Sequence, residues 1–179
     1  MEENNKTESI RYPEIAAEIE AMVKVDQDMR EGAIDDEETW DESVDPKNTF
    51  RMKEIIEQVG WPTISKVGKA ASSGAWLLVQ HADKDLDFQK LCLNLMKQEP
   101  LGEVDLHDIA YLEDRVRVNS GQPQLYGTQF QQVEGRFVSR EIEDQDQVNK
   151  RRKEMGLVTL EENIEDMYVR YRIEKSGNK

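Results

Sequence analysis

The sequence is poor in the residues that most often announce a chemistry. Only one cysteine, Cys92, stands among its 179 residues. No intrachain disulfide can form, and the chain suits a reducing compartment. Two histidines, His81 and His107, occur with no HExxH and no cysteine pair, which excludes the usual zinc sites. The Glu-x-x-His pairs of a di-metal helical bundle are missing as well. Neither GxGxxG nor the Walker A pattern occurs, so dinucleotide and P-loop phosphate binding find no support. The longest apolar run, Ala75–Val79, falls far short of the roughly 20 residues that a membrane helix needs. Basic residues are in deficit, 24 Lys+Arg against 38 Asp+Glu, for a net charge of -14. That balance disfavours nucleic acid and an anionic membrane surface as partners. The start MEENNKTESIRYPE lacks a basic-then-apolar signal, and the expected location is the cytoplasm.

What is present is unevenly spread. Residues 1–45 hold 16 acidic and four basic residues, whereas the rest holds 22 and 20. The length suits one compact domain with a tail. Residues 1–11 read as a disordered tail. Helical spacing of Tyr12, Ile15, Ala16, Ile19, Met22, Val23 and Met29 predicts a helix over 12–32, with Pro13 in its first turn and Gly32 as its stop. The acid-dense stretch 33–45 reads as a solvated linker, with Trp40 as an apolar exception. Residues 46–179 read as the core domain. There Asp45-Pro46 signals a helix start running to Val59. Further helices are expected over Lys66–Ala82, Asp83–Gln98, Leu106–Val118, Asp146–Met155 and Leu160–Glu174, the last opened by the capping box Thr159-x-x-Glu162. Small residues at Ala70, Ala71, Gly74 and Ala75 leave room for another backbone, and a mid-helix Gly74 points to a packing reason. Alternation over Gln124–Val133 and Arg136–Ile142, with Glu134-Gly135 between, predicts a hairpin that must lie on helices. The expected fold is mainly α: a single helical domain of six to seven helices with one β-hairpin inserted at about 124–142.

Several constellations fail on their own geometry. Asp83-x-Asp85-x-Asp87 opens like a calcium loop, but Phe88 stands at its sixth position and Asn94 at its twelfth, where Gly and Glu are required. Asp83 reads instead as the cap of the next helix. Cys92, between Leu91 and Leu93, reads as a core thiol. Two groupings remain. In Gln80-His81-Ala82-Asp83, His81 is either a structural helix-end histidine or a general acid/base. In Asp114-Arg115 followed by Gln122-Pro123-Gln124-Leu125-Tyr126-Gly127-Thr128-Gln129, the side chains both donate and accept. They are either a solvated hairpin face or a surface for an anionic or hydroxylated ligand, with Arg115 as fork.

Gly60-Trp61-Pro62, Val67-Gly68, Ala75-Trp76-Leu77-Leu78-Val79-Gln80-His81-Ala82-Asp83, Phe88-Gln89, Ala110-Tyr111-Leu112-x-Asp114-Arg115-Val116 and Gln124-x-Tyr126-Gly127-Thr128-Gln129 together resemble a bacterial family of uncharacterised proteins. Arg151-Arg152-x-x-x-Gly156-Leu157 resembles its tail. No established reaction comes with that family. The resemblance implies a fold neighbourhood, and the polarity of its signature words weights them toward a site. The resulting expectation is a small metal-independent hydrolase or group transferase acting on an anionic or polar substrate. His81 is its general acid/base, oriented by Asp83 or Asp114. Arg115, Gln80, Gln124, Tyr126, Thr128, Gln129 and Trp61 hold the substrate, and neither metal nor cofactor is expected. The alternative is a non-catalytic acidic interaction or immunity-type protein that engages a basic partner. A homodimer is open to either.

Overall fold

The computed structural model describes residues 10–36, 39–134 and 136–170. The expected tail over 1–9, Gly135 of the hairpin turn and the last turn of the final helix beyond Arg170 lie outside those residues. The fold is mainly α, with seven α-helices and one two-stranded antiparallel sheet among the described residues. The chain divides into two compact units, residues 1–105 and 106–179.

In the first unit, α1 spans Pro13–Asp35, α2 Val44–Val59, α3 Ile64–Gln80 and α4 Leu86–Gln98. Helix α1 passes its expected stop at Gly32 by three residues, so part of the acidic stretch is helical. Parallel to it lies α3. At their starts the Tyr12 N–H donates to the Lys66 carbonyl at 2.8 Å. Midway, a Cβ on Gly74 would stand 2.9 Å from Val23 Cγ2 and 3.2 Å from Ile19 Cγ2. Gly74 therefore has the packing reason its cost demanded: only a bare Cα lets α1 come this close. Of the small-residue strip, Ala71, Gly74 and Ala75 are buried, while Ala70 is exposed. Helix α2 runs antiparallel to α1, tied by Arg51 Nε to Glu18 Oε1 at 2.6 Å. Ile19, Met52, Ile55, Ala71, Ala75, Val79 and Cys92 are fully buried and form the core of this unit.

Three boundaries differ from the sequence reading, each for a local reason. Asp45 is not the cap of α2. Ser43 holds that position without a side-chain bond, and Asp45 pairs with Arg30 instead. Asp85, not Asp83, caps α4 by accepting from the Phe88 N–H at 3.1 Å. Helix α3 starts two residues early and breaks at Gly68, whose φ of 83° lies where only glycine sits without strain.

In the second unit, α5 spans Leu106–Asn119, β1 Phe130–Val133, β2 Arg136–Ser139, α6 Val148–Glu154 and α7 Leu160–Arg170, with a 3-10 turn at Gln145–Gln147. The hairpin pairs Phe130 with Ser139 through Val133 with Arg136. It is shorter than the alternation suggested, because 124–129 forms a looped segment. The capping box forms as read: Glu162 Oε2 accepts from the Thr159 N–H at 2.9 Å and Thr159 Oγ1 from the Glu162 N–H at 3.3 Å.

Candidate functional site

One end of the three-helix layer in the first unit gathers a polar cluster. The second half of α1 supplies Asp26 and Arg30, the first turn of α2 supplies Asp45, and the residue that closes α3 is His81. Asp26 is fully buried. Its Oδ1 lies 3.0 Å from His81 Nδ1, and Gln27 Nε2 donates to its Oδ2 at 2.7 Å. Arg30 reaches three ways. Its Nε is 3.2 Å from Asp26 Oδ2 and 3.1 Å from His81 Nδ1, and its Nη2 donates to Asp45 Oδ1 at 2.5 Å. The guanidinium also stacks under Trp40, 5.1 Å from the ring centre. The apolar exception in the acidic stretch thus covers the arginine of the cluster.

A single ring nitrogen cannot donate to Asp26 and accept from Arg30 at once. The buried carboxylate decides between them. An ionised Asp26 without donors would be far costlier than an arginine whose Nε already has Oδ2. Nδ1 therefore carries the proton and gives it to Asp26. Burial alone would push the Asp26 carboxyl up, but the bond and charge of His81, with bonds from Arg30 and Gln27, hold it below the usual carboxylate value. In the neutral ring, Nε2 then keeps its lone pair. Nothing among the described residues bonds Nε2, and the side chain is 16 % exposed.

The backbone around His81 is fixed from below. Gln89, fully buried on α4, puts Nε2 at 3.3 Å from the Val79 carbonyl, 3.1 Å from the Gln80 carbonyl and 3.2 Å from Asp83 Oδ1. It satisfies the carbonyls that a helix C-terminus leaves open. Asp83, expected to orient His81, thus holds Gln89, while Asp26 is the carboxylate at the ring. Gln80 Oε1 and Asn48 Nδ2 are buried with no partner among the described residues. The first adjoins His81 in the chain, and the second lies one turn along α2 from Asp45.

Asp26, Asp45 and His81 could in principle ligate a metal, since one ligand atom of each lies within 4.8 Å of the others. The Arg30 guanidinium stands among those same atoms, so the cluster already holds a cation of its own. A divalent ion would have to displace it.

The other sequence candidates have different surroundings. Trp61 is 1 % exposed in the core of the first unit, and its carbonyl accepts from Lys66 Nζ at 2.8 Å. Its ring is part of the packed core of that unit. In the second unit, buried Asp114 accepts from the N–H groups of Leu125, Tyr126 and Thr128 at 2.7, 3.0 and 2.9 Å and from the Thr128 hydroxyl at 3.0 Å. Burial raises its carboxyl above the usual range although those donors pull it down. Gln124 bridges the segment: its Oε1 accepts from the Gln129 N–H at 2.8 Å and its Nε2 donates to the Gln129 carbonyl at 3.0 Å. Arginines take the carbonyls. Arg117 reaches Pro123 at 2.6 Å, Arg151 reaches Leu125 at 2.7 Å, and buried Arg152 reaches Tyr126 at 2.7 Å. Loop 123–129 is thus clamped by an anion on its N–H side and by cations on its C=O side. Arg115 Nη1 donates to Gln129 Oε1 at 3.0 Å, and Gln129 Nε2 donates in turn to Thr128 Oγ1. The polarity of these words is largely used inside the fold.

Asp26, Arg30 and Asp45 escaped the sequence reading. One signal was available: Asp26 continues the spacing of Ile19, Met22 and Val23, so an acid sits on the apolar stripe of α1. Comparison with known proteins gives no further chemistry, since no curated protein and no solved structure matches the chain. A family model does match, over residues 13–174. The chain therefore belongs to the family of unknown function DUF6624.

Proposed function

We propose that the first unit carries a metal-independent acid–base centre, and that the protein is a hydrolase or group transferase acting through His81. The observation that carries this reading is the buried Asp26 carboxylate 3.0 Å from His81 Nδ1. A carboxylate on one ring nitrogen fixes the tautomer and stabilises the imidazolium that forms when the other nitrogen takes a proton. His81 Nε2 removes a proton from water or a substrate hydroxyl as that oxygen attacks, then returns it to the leaving group. The cluster sets two carboxylates, Asp26 and Asp45, against the Arg30 cation. A neutral or cationic polar substrate therefore fits it better than the anion expected from Arg115. Cys92 takes no part, because burial pushes its thiol up and away from the reactive thiolate.

The test is His81→Gln in the full chain, screened with wild type against ester, amide, phosphoester and glycoside substrates. We expect wild type to turn over at least one class. The variant should fold alike and lose about 10²–10⁴-fold of that turnover. Equal turnover by a folded variant overturns the reading. A second reading is a non-catalytic acidic binding module, favoured by the 16 acidic residues among the first 45. It predicts no turnover with any substrate, and association with a basic partner that weakens steeply with salt.

A further inference from the structure

A cleft of about 390 Å³ lies in the first unit, between α2 and the start of α4. It is separate from the residues of the His81 cluster. Ile56 and Phe88 form its floor, and Leu91 stands at its edge. Leu91 is 52 % exposed and adds its side chain to the apolar lining. Ile56, Phe88 and Leu91 together line one cleft rimmed by charge, the composition of a contact surface. The charged members of the wall are Glu57, Asp85, Asp87 and Lys53. Asp85 Oδ2 accepts from Lys53 Nζ at 2.5 Å, and that ammonium also sits 5.3 Å from the Phe88 ring centre. Lys53 is thereby neutralised, which leaves Glu57 and Asp87 as the net charge of the rim.

We propose that this cleft docks a basic amphipathic segment of another protein, with large apolar side chains entering over Phe88 and Leu91 and lysines or arginines meeting Glu57 and Asp87. Charge complementarity selects that occupant. An acidic or neutral segment would leave two rim carboxylates unpaired, and a second copy docked by the same face would set Glu57 and Asp87 against their like. Two helices walling an apolar floor are the usual receptor for an amphipathic peptide read at alternate turns. The proposal is independent of His81 and of the acidic stretch that precedes α2.

The experiment selects a random twelve-residue peptide library on the full-length protein, then measures the enriched peptides by fluorescence anisotropy. Binding is compared with Leu91→Asp and with the double reversal Glu57→Lys, Asp87→Lys, all at exposed or rim positions that leave the core intact. Sedimentation of the protein alone runs in parallel. The expected result is enrichment of peptides combining Leu, Phe or Trp with Lys or Arg. Their affinity should fall at least tenfold in each variant, and the protein should sediment as a monomer. No enrichment overturns the proposal. So do peptides without basic residues, peptides that bind the variants as well as wild type, and a dimer that Leu91→Asp dissolves.

Discussion

Asp26 places a carboxylate wholly inside the first unit, and replacing it by Asn removes the charge while keeping the shape. Its folded-state carboxyl lies below the ordinary value because His81, Arg30 and Gln27 donate to it against the penalty of burial. A depressed carboxylate contributes stability that is fully present above its unfolded value, about 3.9, and is lost as pH falls through the folded value. Asp26→Asn should therefore lower stability at neutral pH, by about 1–3 kcal/mol for leaving Arg30 and His81 poorly partnered. It should also flatten the acid limb of the stability curve below about pH 4. Urea melts at several pH values check both. Parallel acid limbs in wild type and variant would mean that Asp26 is not ionised in the folded protein.

The helices show how far a sequence can be read. The apolar stripe of α1, the capping box of α7 and the close approach at Gly74 were all legible, because each is a local pattern with one physical outcome. The looped segment 124–129 was not. Its alternation is that of a strand, but Asp114 takes the N–H groups that a sheet partner would have taken. That competition is set by a residue ten positions upstream and is invisible to a periodicity. The candidate site was half legible for the same kind of reason. His81 announces itself by its chemistry, whereas Asp26, Arg30 and Asp45 reach it only through the parallel and antiparallel packing of α1, α2 and α3. Of the polar signature words, Asp114, Gln124 and Thr128 bond chiefly within their own loop. One prediction belongs to this loop. Gly127 has a φ of 67°, and a Cβ there would meet Ile142 Cδ1 at 2.9 Å and Leu160 Cδ1 at 3.0 Å. Gly127→Ala should cost about 1–3 kcal/mol through strain and overpacking, read as a drop in the urea midpoint with the m-value unchanged. An unaltered midpoint would show that the loop yields easily and that its clamp by Asp114 and Arg152 is weak.

For the whole molecule, the excess acidity is a property of one region rather than of the surface at large. Residues 1–45 carry nearly all of it, and that region contributes Asp26, Arg30 and Asp45 to the cluster around His81. Charge that at first reads as a solubility feature thus reaches into the candidate site. The rest of the chain is near balance. Its three loop-holding arginines, Arg117, Arg151 and Arg152, bind carbonyls of the loop around residues 123–127. No helix among the described residues is long and apolar enough to cross a membrane.

The central claim is that the buried carboxylate of Asp26 sets the state of His81, and the tautomer of that ring tests it most directly. Long-range proton–nitrogen correlation spectra of the full chain, recorded where the ring is neutral, distinguish the two nitrogens. His81→Gln assigns the signal. The account predicts a proton on Nδ1 and a bare Nε2 in wild type, with that preference lost in Asp26→Asn. A proton on Nε2, with Nδ1 accepting from Arg30, would contradict it, because Nε2 could then take no proton from a substrate.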